Sequence, residues 1–171
     1  MATQQQLQKL RSLLPPSEIF EQGQKEYKAQ SAPWSTYADL HPTLVVRPTS
    51  LNSLQQIVRF LYTSDLDFAV RNTGTGSASA RDVILSTHGF KSFHFNKDAE
   101  VVTIGSGFAW GEVDVLMEEQ APGYAVVGAR CPWVGVAGST LVGGLSWLSH
   151  EFGMVSFGRS KFRFRSWRAN A

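Results

Sequence analysis

An α+β domain is what this sequence predicts, with a small parallel and mixed sheet flanked by helices. Three observations carry the prediction. Short β-type runs alternate with helix-period segments between His41 and Ser86. A loop of glycines and hydroxyl residues, Asn72 to Ala80, follows one of those runs directly. Behind both lies a glycine-dense stretch, Val126 to Gly153, that holds the only cysteine, Cys131.

Composition bounds the answer before any motif does. The 171 residues, 43% apolar and 18% charged, suit one globular domain with a real core. A net charge of +2 supplies no field for nucleic acid or a membrane surface, and neither is expected as a partner. One cysteine cannot form an intramolecular disulfide. The opening residues, MATQQQLQKLRSLLPP, are interrupted by Gln4 to Gln6, Lys9 and Arg11. No signal peptide or spanning segment is expected from them, and a cytoplasmic location is the expectation.

Taken in order, Thr3 to Leu14 predicts an amphipathic helix with Leu7, Leu10, Leu13 and Leu14 on one side, ended by Pro15 and Pro16. A polar segment follows from Ser17 to Thr36, and His41-Pro42 predicts an extended dipeptide. Leu44 to Arg47 is a β-type run closed by Pro48. Ser50 then caps a helix through about Thr63, with Leu51, Leu54, Ile57, Val58 and Leu61 at helical spacing. Asp67 to Arg71 is the next strand, so strand, helix and strand form a βαβ unit with a parallel crossover.

The loop comes next. Asn72-Thr73-Gly74-Thr75-Gly76-Ser77 contains only small side chains, and Gly74 and Gly76 permit positive φ. Its backbone N–H groups can converge into a nest for an anion, with the hydroxyls of Thr73, Thr75 and Ser77 as further donors. The lysine of a P-loop and the third glycine of G-x-G-x-x-G are both missing, so neither nucleotide fingerprint is met, and a plain flexible loop stays open as a reading.

Arg81 to Ser86 returns as a strand, Phe93 to Phe95 and Val101 to Ile104 are short strands, and a turn at Asn96 to Asp98 joins them. His88 and His94 have no partner at metal-ligand spacing, and no metal site is expected. Trp110 to Glu119 predicts a helix with Trp110, Val113, Leu116 and Met117 inward; its carboxylates Glu112, Asp114, Glu118 and Glu119 read as a solvated face. Tyr124 to Val127 leads as a strand into the glycine-dense stretch. From its residues alone that stretch has two readings: a turn region packed in a core, or a wall against which something flat lies.

Four blocks between about His41 and Gly153 carry a family resemblance. HPTLVVRPTSLNSLQQIVRF, FAVRNTGTGS, VTIGSGFAWGEV and CPWVGVAGSTLVGG resemble, in order and spacing, the FAD-binding domain of the vanillyl-alcohol-oxidase type, PCMH-type, in its berberine-bridge-enzyme-like branch. The resemblance implies a domain built of an N-terminal βαβ subdomain and the start of a second one. It implies FAD as cofactor and, with a substrate domain supplied, hydride transfer from a small organic substrate to flavin. The pyrophosphate would lie on Arg71, Asn72, Thr73, Gly74, Thr75, Gly76 and Ser77. The wall behind the ring would be built from Cys131, Val134, Gly135 and Val136, then Gly138, Thr140, Gly143 and Gly144. Gly128 would also admit the ring, and Arg71 and Arg130 would add positive charge.

Departures from the family pattern matter too. Thr75 stands where many relatives carry a histidine bonded to the flavin 8α-methyl, so no 8α-histidyl link is expected. Cys131 matches the cysteine that some members bond to flavin C6; as a lone thiol it also reads as a packed, inert residue. Ala137 and Val142 stand where relatives often have glycine, and a β-branched valine would be strained wherever positive φ is required. The catalytic residues are not named by the resemblance.

The expected division is a lead-in over residues 1–40, the FAD-binding domain over 41–157, incomplete, and a basic divergent tail over 158–171. The stretch FGRSKFRFRSWRANA has five basic residues and no acidic one, without a period of its own. Two expectations attach to it: a truncated product with a tail from an altered reading frame or splice, or a basic tail for acidic partners.

Overall fold

The computed structural model describes residues 2–156. The basic stretch at 157–171, with both expectations placed on it, lies outside the described residues. Helix α1 (Ala2–Ser12) opens the chain, and strand β1 (Ile19–Glu21) and helix α2 (Lys25–Ser31) follow. Then come β2 (Leu44–Val46), α3 (Leu51–Tyr62), β3 (Phe68–Arg71) and β4 (Val83–Ser86).

These four strands form one sheet in the order β1-β2-β4-β3. Strands β2 and β3 both pair parallel with β4, and β1 pairs antiparallel with β2, so the sheet is mixed as expected. Alternation sorts the side chains. Leu44, Val46, Val83 and Leu85 face one core with Leu7, Leu10 and Leu14 of the N-terminal segment and Ile57 and Leu61 of α3. Val45 and Ile84 face the other side with Phe20, Ala80 and Tyr27. All three residues of β2 are buried, as suits a parallel strand covered on both faces.

The βαβ reading holds, with β4 inserted between its two strands. Ser50 caps α3 by accepting the Ser53 N–H at 3.1 Å. Of the apolar residues at helical spacing, Ile57 and Leu61 are buried, while Leu51 and Val58 face solvent.

Two expectations in the N-terminal part are corrected. The polar segment contains β1 and α2, because Ile19 and Phe20 find a ladder with Val46 and Val45 that their neighbours conceal in the sequence. His41 is not extended: its φ is +52°, and its N–H donates to Asp39 Oδ1 at 2.9 Å in a local turn.

A second unit follows. Strands β5 (Phe93–Asn96) and β6 (Val101–Ile104) form an antiparallel hairpin. Helix α4 (Trp110–Gln120) packs through Trp110, Val113 and Met117 into a core with Phe108, Val136 and Val155. Glu112 reaches back to the Ala109 N–H at 2.9 Å, half of a capping box. Residues 124–127 do not form the expected strand; no ladder partner among the described residues meets them, and the Gly128 N–H turns back to the Val126 carbonyl at 2.9 Å. Two short helices, α5 (Val136–Val142) and α6 (Ser149–Phe152), complete the described chain.

Candidate functional site

The loop at 72–77 leaves the carboxyl end of β3, where parallel sheets bind ligands. Its backbone N–H groups on Thr73, Gly74, Thr75 and Gly76 make no hydrogen bond within the described residues. Four consecutive free donors are what an anion nest requires. Gly74 takes φ +82°, as expected; Gly76 does not take positive φ, and Ser77 does, at +55°. The Ser77 N–H closes the turn onto the Gly74 carbonyl at 2.9 Å. The Thr73 and Thr75 hydroxyls lie 3.2 Å apart.

Arg71 is neither on the surface nor free to reach outward. Its guanidinium is buried beneath the loop and donates to the carbonyls of Ala29 (3.3 Å), Gln30 (2.6 Å), Ala32 (2.8 Å) and Thr73 (3.2 Å). Burial pushes its pKa down from the ordinary arginine value. Its charge therefore acts from underneath, through the loop backbone. Arg130 is exposed and lies over the Trp147 ring at 5.3 Å.

The second wall is threaded across the start of α4. Trp110 N–H donates to the Val134 carbonyl (3.0 Å), Gly111 N–H to Pro132 (2.9 Å), and Val136 N–H to Phe108 (2.9 Å). Loop and wall meet at two points. Asn72 Nδ2 donates to the Phe108 carbonyl at 3.0 Å, and the Thr75 hydroxyl donates to the Trp133 carbonyl at 3.3 Å.

The wall glycines divide into two kinds. A Cβ at Gly135 would lie 2.6 Å from Asn72 Nδ2, one at Gly128 2.6 Å from Trp110 Cε3, and one at Gly143 2.5 Å from Met154 Cε. At Gly144 it would meet Val155 Cγ2 at 2.8 Å. A side chain at any of these four would meet the protein's own side chains. At Gly138 an added Cβ would meet no described atom within 4 Å beyond its chain neighbours and its own helix backbone, and at Gly76 in the loop it would meet none beyond its chain neighbours. Gly138 sits in the first turn of α5, where its N–H and that of Ala137 make no hydrogen bond within the described residues. Ala137 and Val142 fall in α5 without positive φ, so the expected valine strain does not arise.

Cys131 is exposed, and its carbonyl accepts the Val134 N–H at 3.1 Å. Val136 and Gly135 are buried, Val134 half-buried. Among the described residues, three polar atoms of the loop and wall are buried without a partner: Arg71 Nε, Asn72 Oδ1 and Thr140 Oγ1. The free backbone donors at 73–76 suit an anion such as a pyrophosphate, and the open face at Gly138 leaves room for a flat ring, so the residues present fit FAD. Among the described residues no cluster of His, Cys, Asp and Glu suits a metal, and no helix is long and apolar enough to cross a membrane.

The sequence reading missed the segment at 29–40. Its residues bond Arg71, Ser77 and Ser79, and Trp34 stacks on Trp133 with ring centroids 6.3 Å apart and planes 9° from parallel. A tryptophan alone in a polar stretch after Pro33 was the signal available.

The FAD binding domain family matches residues 42–158, and the chain belongs to that family. It is a flavoprotein domain of the FAD-linked oxidoreductases, with FAD as its cofactor. An uncharacterized FAD-linked oxidoreductase of Arthroderma benhamiae is 30% identical over 150 residues, which is 84% of this chain and 28% of that protein. The FAD-dependent monooxygenase prx3 of Penicillium roqueforti is 34% identical over 127 residues, 71% of this chain and 24% of that one. The solved structure of wild-type BBE-like 1 from Physcomitrella patens superposes with a TM-score of 0.70 at 25% identity, covering 91% of this chain and 34% of that one. The PCMH-type fold is thereby shared with the berberine-bridge-enzyme-like proteins. The chain spans roughly a quarter to a third of the length of the relatives it matches.

Proposed function

We infer that this chain is the FAD-binding portion of an oxidoreductase acting on a small organic substrate, with residues 41–157 as the binding part. The observation that carries the reading is the row of free N–H donors on Thr73 to Gly76 set beside the open face of Gly138. FAD, when bound, supplies the hydride acceptor. The chain's own residues hold it. Thr73 to Gly76 donate from the backbone to the pyrophosphate, and the charge of Arg71 beneath them favours that dianion. Asn72 and Thr140 offer their unmet oxygens to donor groups of the cofactor. Val134, Val136 and Gly138 exclude water from one side of the ring, and Cys131 is the one thiol able to tether it.

Titrating the chain with FAD and following flavin fluorescence tests this. Saturable binding, at least about 10-fold tighter than riboflavin because the donors meet phosphate, is expected. Equal affinity for FAD and riboflavin contradicts the assignment of the loop.

A second reading has one observation in its favour. Residues 72–77 and 131–144 contain no histidine, aspartate, glutamate or lysine to serve as a general base. By itself the chain would then bind FAD and turn nothing over. Anaerobic mixing of the FAD-loaded chain with alcohols and sugars separates the two: bleaching of the visible flavin band supports turnover, and an unchanged band supports the binding module.

A further inference from the structure

Residues 29–40 precede the stretch matched by the family, which begins at 42. They are nonetheless fastened along the whole length of the loop. At one end the carbonyls of Ala29, Gln30 and Ala32 take the Arg71 guanidinium, whose position lies directly under Gly74. The Gln30 side chain, also buried, accepts the Ser86 hydroxyl at 2.7 Å, which ties the same segment to β4. In the middle the Ser35 N–H donates to Ser77 Oγ at 3.3 Å, at the loop residue whose φ is +55°. At the far end the Leu40 N–H donates to Ser79 Oγ at 3.0 Å. Trp34 adds a contact from the opposite wall, stacked on Trp133, whose carbonyl accepts the Thr75 hydroxyl.

Such fastening has a physical purpose. A loop of small residues with two glycines loses much conformational freedom when it closes on a ligand, and outside restraints lower that cost before binding. Ser77 and His41 both hold left-handed backbone, which persists only where surroundings fix it. The hydrogen bonds from Ser35 and within Asp39–His41 are those surroundings.

We propose that residues 29–40 form a strap that sets the shape of the pyrophosphate loop, with Trp34 as a positioning residue acting through Trp133 and Thr75. This rests on the reading of 72–77 as the loop that takes FAD. Coupling of this kind is reciprocal: a strap that favours the binding shape must itself be held more firmly when FAD is bound.

Amide hydrogen exchange of the full chain, without and with FAD, tests the proposal on the wild type, Trp34→Ala and Trp34→Phe. Trp34 is 69% exposed and belongs to none of the buried cores, so its replacement lowers the melting temperature of the ligand-free chain by no more than about 4 °C, the worth of the one stacked pair. In the ligand-free chain the Ser77 amide exchanges about 5-fold faster in Trp34→Ala, the worth of one aromatic pair, and returns to the wild-type rate in Trp34→Phe. FAD binds Trp34→Ala about 5-fold more weakly and slows the Ser35 and Leu40 amides of the wild type. An unchanged Ser77 rate in Trp34→Ala overturns the strap whether or not FAD binds. A faster Ser77 rate in a chain that takes up no FAD supports the strap and overturns the pyrophosphate reading of the loop.

Discussion

The guanidinium of Arg71 occupies the place where a side chain on Gly74 would stand. One residue thus fixes the floor of the loop, and the other must lack a Cβ and hold φ +82° to pass over it. Gly74→Ala combines a left-handed penalty with a clash and is expected to cost about 3 kcal/mol. Gly76→Ala, with open space and no positive φ, is expected to leave the ligand-free chain unchanged or slightly more stable. Arg71→Lys should also cost about 3 kcal/mol, because an ammonium cannot span four carbonyls. Denaturant melts of the three variants check all of this.

Acid should weaken the fold in two stages. His88 is half-buried with its backbone N–H on Ser86 Oγ; burial pushes its pKa down, Lys91, Arg47 and Arg71 push the same way, and Glu112 opposes them. A histidine held neutral contributes stability that is complete above its ordinary value, near 6.5, and lost as pH falls through the lower folded value. For Glu112, burial works to raise the pKa, but the Ala109 N–H and the Lys91 ammonium outweigh it and the net direction is down. Its contribution is present above the ordinary carboxylate range and lost as pH falls through the folded value. Melting temperature against pH is expected to decline first below about 6.5, a step removed in His88→Gln. A second decline, below about 4.5, is expected to shrink in Glu112→Gln.

Local chemistry explains what could be read from the sequence. Ser50, the Leu44–Val46 run and the inward face of α4 announced themselves because neighbouring residues determine them. The loop was also visible, since Gly74 sits among small polar residues. Segment 19–31 was not: Ile19 and Phe20 become a strand only by pairing with Val46 and Val45, more than twenty positions away. The wall glycines were visible as a cluster but not as two kinds. Nothing near Gly135 reveals Asn72, and nothing near Gly128 reveals Trp110. The same distance hid the purpose of Arg71, whose partners lie some forty residues earlier.

Covalent attachment is a separate matter from binding. Cys131 carries the only thiol of the chain and is exposed. A link through it predicts that acid-precipitated protein stays yellow and that Cys131→Ala releases the flavin to the supernatant. Flavin in the supernatant from the wild type contradicts the link while leaving the binding reading intact.

Gly138 provides the most direct test that the open wall is there for FAD. Among the described residues, no atom beyond its chain neighbours and its own helix backbone lies within 4 Å of a Cβ built on it, and its place in α5 favours alanine over glycine. The FAD affinity of Gly138→Ala should therefore be measured beside its ligand-free stability. We expect stability unchanged or raised by up to about 1 kcal/mol, with FAD bound at least about 10-fold more weakly. Wild-type affinity in Gly138→Ala would contradict the placement of the cofactor against this wall.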